Sequence, residues 1–194
     1  MKFKTSARAL AIGLSAALAI GATAPAAFAA MGHEHTVTVG GAPMYPSKNI
    51  VQNAMNSKDH TTLVAAVKAA GLVDTLEGTG PFTVFAPTNE AFAALPTGTV
   101  DNLLKPENKS TLVKVLTYHV VPGRYTSAKL AKEAAGNGGS VSLKTVEGDS
   151  IKVGKDGSGQ WTVTDDKGDV ARITIPDVMQ SNGVIFVIDK VLMP

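Results

Sequence analysis

Four histidines and no cysteine set the limits on chemistry in this chain. Without cysteine there is no thiol nucleophile, no Cys-based zinc or redox site and no disulfide. His33-Glu34-His35, with Met31 nearby, is a candidate metal site. Spacing of i and i+2 in an extended segment puts both imidazoles on one side. A mature start at Met31 would also place a histidine third from a free amine, a square-planar Cu(II) arrangement. A cut after Ala29 makes His33 fourth instead. Asp156-Gly157-Ser158-Gly159 and Asp165 to Asp169 carry clustered carboxylates, but neither has the EF-hand spacing or its terminal bidentate Glu. Hairpin turns explain both. GNGG (136–139) and GKDGSG (154–159) lack the Lys-Ser/Thr end of a phosphate loop, and no G-x-S-x-G elbow is present. His119 lies among apolar residues and His60 at a helix start, so few histidines remain for a Ser-His-Asp site. These residues point to no catalytic group, no metal and no cofactor.

The elements that must position these groups follow from punctuation and periodicity. Lys2, Lys4 and Arg8 precede a small, apolar run from Ala9 to Ala24, and Ala27-Phe28-Ala29 is an A-x-A cleavage site. This is the layout of a secretory signal peptide over residues 1–29, and the absence of a following Cys excludes a bacterial lipid anchor. The expectation is an exported protein, periplasmic or extracellular, with no integral membrane span after removal. Removal takes three cations and no acid, so the formal charge of +2 becomes −1. A nucleic-acid partner then lacks electrostatic support. About 165 residues remain, enough for one domain held by its core alone.

Residues 30–48, rich in Gly, Pro and His, read as a flexible lead-in to a single domain over 49–194. Asn49 predicts a cap on a short helix through Met55. Asp59 or His60 opens a second helix with Leu63, Val64, Val67 and Ala70 on one face and Gly71 as its stop. Pro81 to Ala86 reads as a strand that ends at Pro87, with Thr88 capping the next helix. Ser110 is a candidate cap for STLVKVLTYHVV, where Leu112, Val115, Leu116 and His119 share a face. From Ser140 the period changes to two, with turns of Gly, Asp and Lys, which predicts an antiparallel meander. Ser181-Asn182-Gly183 turns the chain into a continuous apolar run, Val184 to Ile188. Such a strand is covered on both faces. The fold class is α+β.

These stretches resemble a known family. TVFAPTNEAF (83–92) resembles the first signature block of the fasciclin-type (FAS1) domain, Tyr118-His119 matches its Tyr-His motif, and SNGVIFVIDKVLMP (181–194) resembles its second block. The resemblance spans about residues 46–194. It implies a FAS1 fold, a compact wedge of about seven strands with a cluster of helices on one side, the two blocks forming neighbouring central strands. Thr88, Asn89, Tyr118, His119, Asn182 and Gly183 are then structural, with Thr88 and Asn89 expected to bond backbone groups bared where the strand ends. The family's second block usually has His where this chain has Phe186, which implies a more apolar interior.

Two functions follow from the resemblance. The first is a non-enzymatic module for cell adhesion or cell-surface association through protein or glycan contacts. IPDVM (175–179) resembles a Glu-Pro-Asp-Ile-Met stretch said to be presented to integrins by animal members, with Ile175 in place of the Glu. Asp177, Val178 and Met179 are the candidate partner-binding loop, and a plain Pro-Asp turn is the alternative. The second is a soluble carrier of a lipophilic molecule such as a carotenoid or lipid. Its candidate face is Ile50, Val51, Met55, Leu63 and Val67, with Tyr45 and Tyr125 as possible borders of a groove. Family frequency ranks association first.

Overall fold

The computed structural model describes residues 36–194. The signal-peptide reading of 1–29 and the His33/His35 tail lie outside the described residues. The chain enters as a hairpin, β1 (Val37–Val39) against β2 (Ala42–Met44). Gly40 and Gly41 make its turn with φ of 58° and 75°, the positive values that two-residue hairpins require at both central positions. Val39 and Met44 are buried in the core. This corrects the expected lead-in: from Val37 onward the segment is packed structure. Its alternation spans only three residues on each strand, too short to stand out among Gly and Pro.

The helices obey their local signals. Asn49 caps α1 (Ile50–Ala54) in a reciprocal capping box with Gln52. After a 3-10 turn at Lys58–His60, α2 (Thr61–Ala70) ends at Gly71 in the left-handed region. A short α3 (Val73–Glu77) leads to β3 (Phe82–Pro87). Thr88 accepts from the Ala91 amide and caps α4 (Asn89–Ala93), which is followed by α5 (Thr99–Leu103). Asn108, not Ser110, precedes α6 (Lys109–Tyr118), because a 3-10 turn at Pro106–Asn108 runs directly into it. β4 (Val120–Pro122) follows at once, then α7 (Ser127–Gly136), capped by Thr126.

The meander forms as expected: β5 (Ser140–Lys144), β6 (Ser150–Lys155), β7 (Trp161–Thr164) and β8 (Val170–Gln180), closed by β9 (Gly183–Ile188). The seven-stranded sheet runs β4-β3-β9-β8-β7-β6-β5, with β3 and β9 parallel and every other pair antiparallel. It curls until its ends meet, since the Val146 amide beyond β5 donates to the Val120 carbonyl of β4 at 2.8 Å. With the helices this is the expected α+β wedge.

β3 and β9 are apolar on both faces because each feeds two cores. Val84, Ala86, Ile185 and Val187 pack towards α1, α2, α4 and α6. Phe85, Val184, Phe186 and Ile188 pack towards α7 and the meander. Phe85 and Phe186 are register neighbours and stack with ring centroids 5.6 Å apart at 19°. Phe186 is wholly buried. The interior where the family usually has His is therefore apolar here.

Candidate functional site

The residues singled out by type divide into ties that hold the wedge together and residues that line a cleft. Asn89 is a tie, though not where expected. Its Oδ1 accepts from Thr61 Oγ1 and the Thr62 amide, and its Nδ2 donates to the Lys58 carbonyl. It satisfies orphan backbone groups at the start of α2 rather than at the end of β3. The strand end needs no help, because the Thr88 amide reaches the Ile188 carbonyl at 3.3 Å. Asn182 is the counterpart. Its Oδ1 accepts from the Ile50 amide, and its Nδ2 donates to the carbonyls of Leu76 and Gly78. Gly183 sits so close to β3 that a Cβ there would lie 2.1 Å from the Phe82 carbonyl oxygen.

Tyr118 and His119 join α6 to the far side of the molecule. The buried Tyr118 donates its hydroxyl proton to the Ser150 carbonyl and accepts from the Asp166 amide. His119 is 2% exposed. Its Nδ1 lies 2.8 Å from the Val115 carbonyl, and its Nε2 accepts from the Leu192 amide at 2.9 Å. A carbonyl beside one nitrogen and an N–H beside the other fix a neutral ring, protonated on Nδ1. Burial lowers its pKa to about 4, against a smaller opposing effect of the Val115 carbonyl. This His is a buried cross-link with both nitrogens committed. His60 is buried too, with Nδ1 2.9 Å from Ser57 Oγ, and desolvation lowers its pKa.

The acidic turns are occupied by their own backbone. Asp156 Oδ1 accepts from the amides of Ser158 and Gln160. Asp165 Oδ1 accepts from those of Lys167 and Asp169, and its Oδ2 from that of Met193. Among the described residues no three metal-ligating side chains are grouped to hold an ion.

Asp177, Val178 and Met179 do not form an exposed loop, which corrects that expectation. They belong to β8, which continues to Gln180 through two register shifts. Asp177 adopts φ 55°, and its carboxylate accepts from the Ser127 amide and hydroxyl. Val178 is buried and Met179 half-buried. A β-bulge, not a turn, absorbs the Pro-Asp kink.

The predicted apolar face does converge on an opening. Ile50 and Val51 of α1 and Leu63 and Val67 of α2 line a cleft completed by α3, α6, β3 and β4. Its cavity volume is about 70 Å³. Met55 is 55% exposed and outside it. Tyr45 and Tyr125 do not border it. They pack instead beneath the ammonium groups of Lys48 and Lys129. Sequence periodicity missed Leu72, Leu76 and Val146 of the lining, and found Leu116 only as part of an apolar helix face. Val146 lies in the turn after β5, is 44% exposed, and reaches the cleft only because the sheet curls. No helix among the described residues is long and apolar enough to cross a membrane.

Both signature blocks thus occupy adjacent parallel strands, brought close at Gly183 and joined by the stacked Phe pair. The Fasciclin domain family model matches residues 58–194. The chain belongs to this family. Protein sll1483 of Synechocystis sp. is 44% identical over 192 residues, covering 98% of each chain. Immunogenic protein MPB70 of Mycobacterium bovis is 37% identical over 73% of this chain and 66% of its own. Transforming growth factor-beta-induced protein ig-h3 of Sus scrofa is 42% identical over 68% of this chain but only 17% of its own length. A solved FAS1 domain pair from the insect cell adhesion molecule Fasciclin I superposes with a TM-score of 0.69. It covers 77% of this chain and 52% of the pair at 22% identity, a likeness of fold.

Proposed function

We propose that the protein is an exported, non-catalytic fasciclin-type module that holds the apolar end of a lipophilic small molecule. The cleft carries this reading: helix faces that would otherwise close on one another leave an opening walled almost wholly by carbon. The carrier reading thereby moves ahead of surface association, since the stretch 177–179 suggested for a partner is built into β8. Export rests on the signal-peptide layout of residues 1–29 and leaves open the periplasm or the exterior.

The cleft also sizes its occupant. One water needs roughly 10–15 Å³ of cavity volume, so about 70 Å³ takes about five chain carbons. At about 0.8 kcal/mol per buried methylene these supply about 4 kcal/mol, which caps the affinity near millimolar before the cost of immobilising the ligand. Tight retention of a long polyene requires the mouth at Val146 to open further. The test is protein purified from its own host, examined by absorption spectroscopy and by organic extraction with mass spectrometry. A stoichiometric lipophilic molecule, absent from a Leu63→Trp variant whose indole fills the cleft, is the expected result. A clean protein that also takes up no added lipid or carotenoid refutes the carrier reading and leaves a surface-interaction module.

A further inference from the structure

We infer that the cleft is built for an anionic amphiphile, a molecule with a short apolar tail and a carboxylate or comparable anionic head, whose head is met by Lys68. The inference rests on the carrier reading above and adds the charge of the ligand. Of the described residues that line the cleft, Lys68 alone carries a charge, since His119 is neutral with both nitrogens engaged. Lys68 stands in the last turn of α2 on the exposed side, while Val67 beside it and Leu63, just over one turn back, are buried in the cleft. A tail against Leu63 and Val67 therefore leaves its head beside the Lys68 ammonium.

The surroundings favour a negative head. Neither Lys68 nor Lys109 is in an ion pair among the described residues, where the pairs are Lys114–Glu147 and Lys129–Glu133. Lys109 brings a second ammonium to the same end of α2, with Nζ 3.5 Å from where a Cβ on Gly71 would stand. The carbonyls of Val67 and Lys68, which would otherwise repel an anion, already accept from the amides of Leu72 and Gly71. Glu147, the carboxylate next to Val146, is held by Lys114 at 3.4 Å. Of the two hydroxyls in the lining, that of Thr117 already donates to the Val113 and Lys114 carbonyls of α6, and that of Thr75 belongs to an exposed residue, so the buried lining is apolar. A polar head must stay at the mouth.

Octanoate and octan-1-ol test this, because they share a seven-carbon tail, enough to fill a cleft for about five carbons and carry the head to its mouth, and differ in head charge. Each is titrated into the mature protein at pH 7.5 while NMR follows the methyl signals of Leu63 and Val67. An exposed ion pair changes affinity by up to about fivefold. The expected result is that Lys68→Gln weakens octanoate by about two- to fivefold and leaves octan-1-ol within about 1.5-fold, and that added salt reduces the difference. Lys68 is exposed, so the variant folds. Equal effects on both ligands, or none, overturn the anionic inference while the cleft still binds tails. Failure of both ligands to move the methyl signals overturns the inference together with the carrier reading.

Discussion

Acid should weaken this protein, and His119 should carry a share of that loss that one substitution can isolate. His119 has a folded pKa of about 4, against about 6.5 when exposed. Below pH 6.5 the unfolded chain takes up a proton that the folded chain refuses until pH falls to about 4. The stability contributed by the neutral ring is thus complete above pH 6.5 and is lost as pH falls through that window. At 1.36 kcal/mol per pH unit the loss approaches about 3 kcal/mol, or about 6–12 °C in melting temperature for a domain of this size. The cause is burial: the charged ring would be desolvated in a site only 2% exposed, and a proton on Nε2 would also face the Leu192 amide that now donates to it. Urea denaturation at pH 7, 6, 5 and 4 for the native chain and for His119→Gln measures this. The variant is less stable throughout, but its curve of stability against pH should be flatter by about 3 kcal/mol over the range. His60, also shifted downward, acts equally in both proteins and cancels. Parallel curves would refute the assignment of His119 as a neutral, doubly bonded cross-link.

Asn89→Ala removes three hydrogen bonds at the half-exposed start of α2 and should cost about 1–2 kcal/mol, read as a fall in melting temperature. An unchanged melting temperature would contradict its role as a tie. Asn182→Ala strips partners from the Ile50 amide and from the Leu76 carbonyl in a buried site, so about 2–4 kcal/mol is expected by urea unfolding. Gly183→Ala forces a methyl into the Phe82 carbonyl and should disrupt the β3–β9 pairing. Faster amide exchange than in the native chain at Phe82 and Thr88, whose amides donate to the Asn182 and Ile188 carbonyls, is the check, and native-like protection there would show that the methyl is accommodated with the pairing intact.

Much of the architecture was legible because it is encoded locally. Asn49, Thr88 and Gly71 mark helix ends by their own hydrogen bonds or backbone freedom. The meander shows as strict alternation, and the double-sided burial of 184–188 as an unbroken apolar run. What was missed is weak locally and strong only in context. The hairpin at 37–44 is short, α3 and α5 are single turns, and α7 announces itself chiefly by the Thr126 cap. The bulge at Asp177 reads as a turn because Pro-Asp is a turn signal. Here the flanking pairing with β9 and the grip of Ser127 keep the chain extended.

The sequence by itself determined that the chain is α+β, that it resembles fasciclin-type domains, and that His119, Phe186 and the two apolar strands are interior. Those properties depend on residue type and near neighbours. Only the tertiary structure decided that Asn89 serves α2, that Val178 is buried, that Met55 lies outside the cleft, and that Val146 and Lys68 stand at its mouth. Each of these depends on groups brought together from distant parts of the chain. A cleft is the space that packed elements leave between them, and no periodicity along one element records where its neighbours stop.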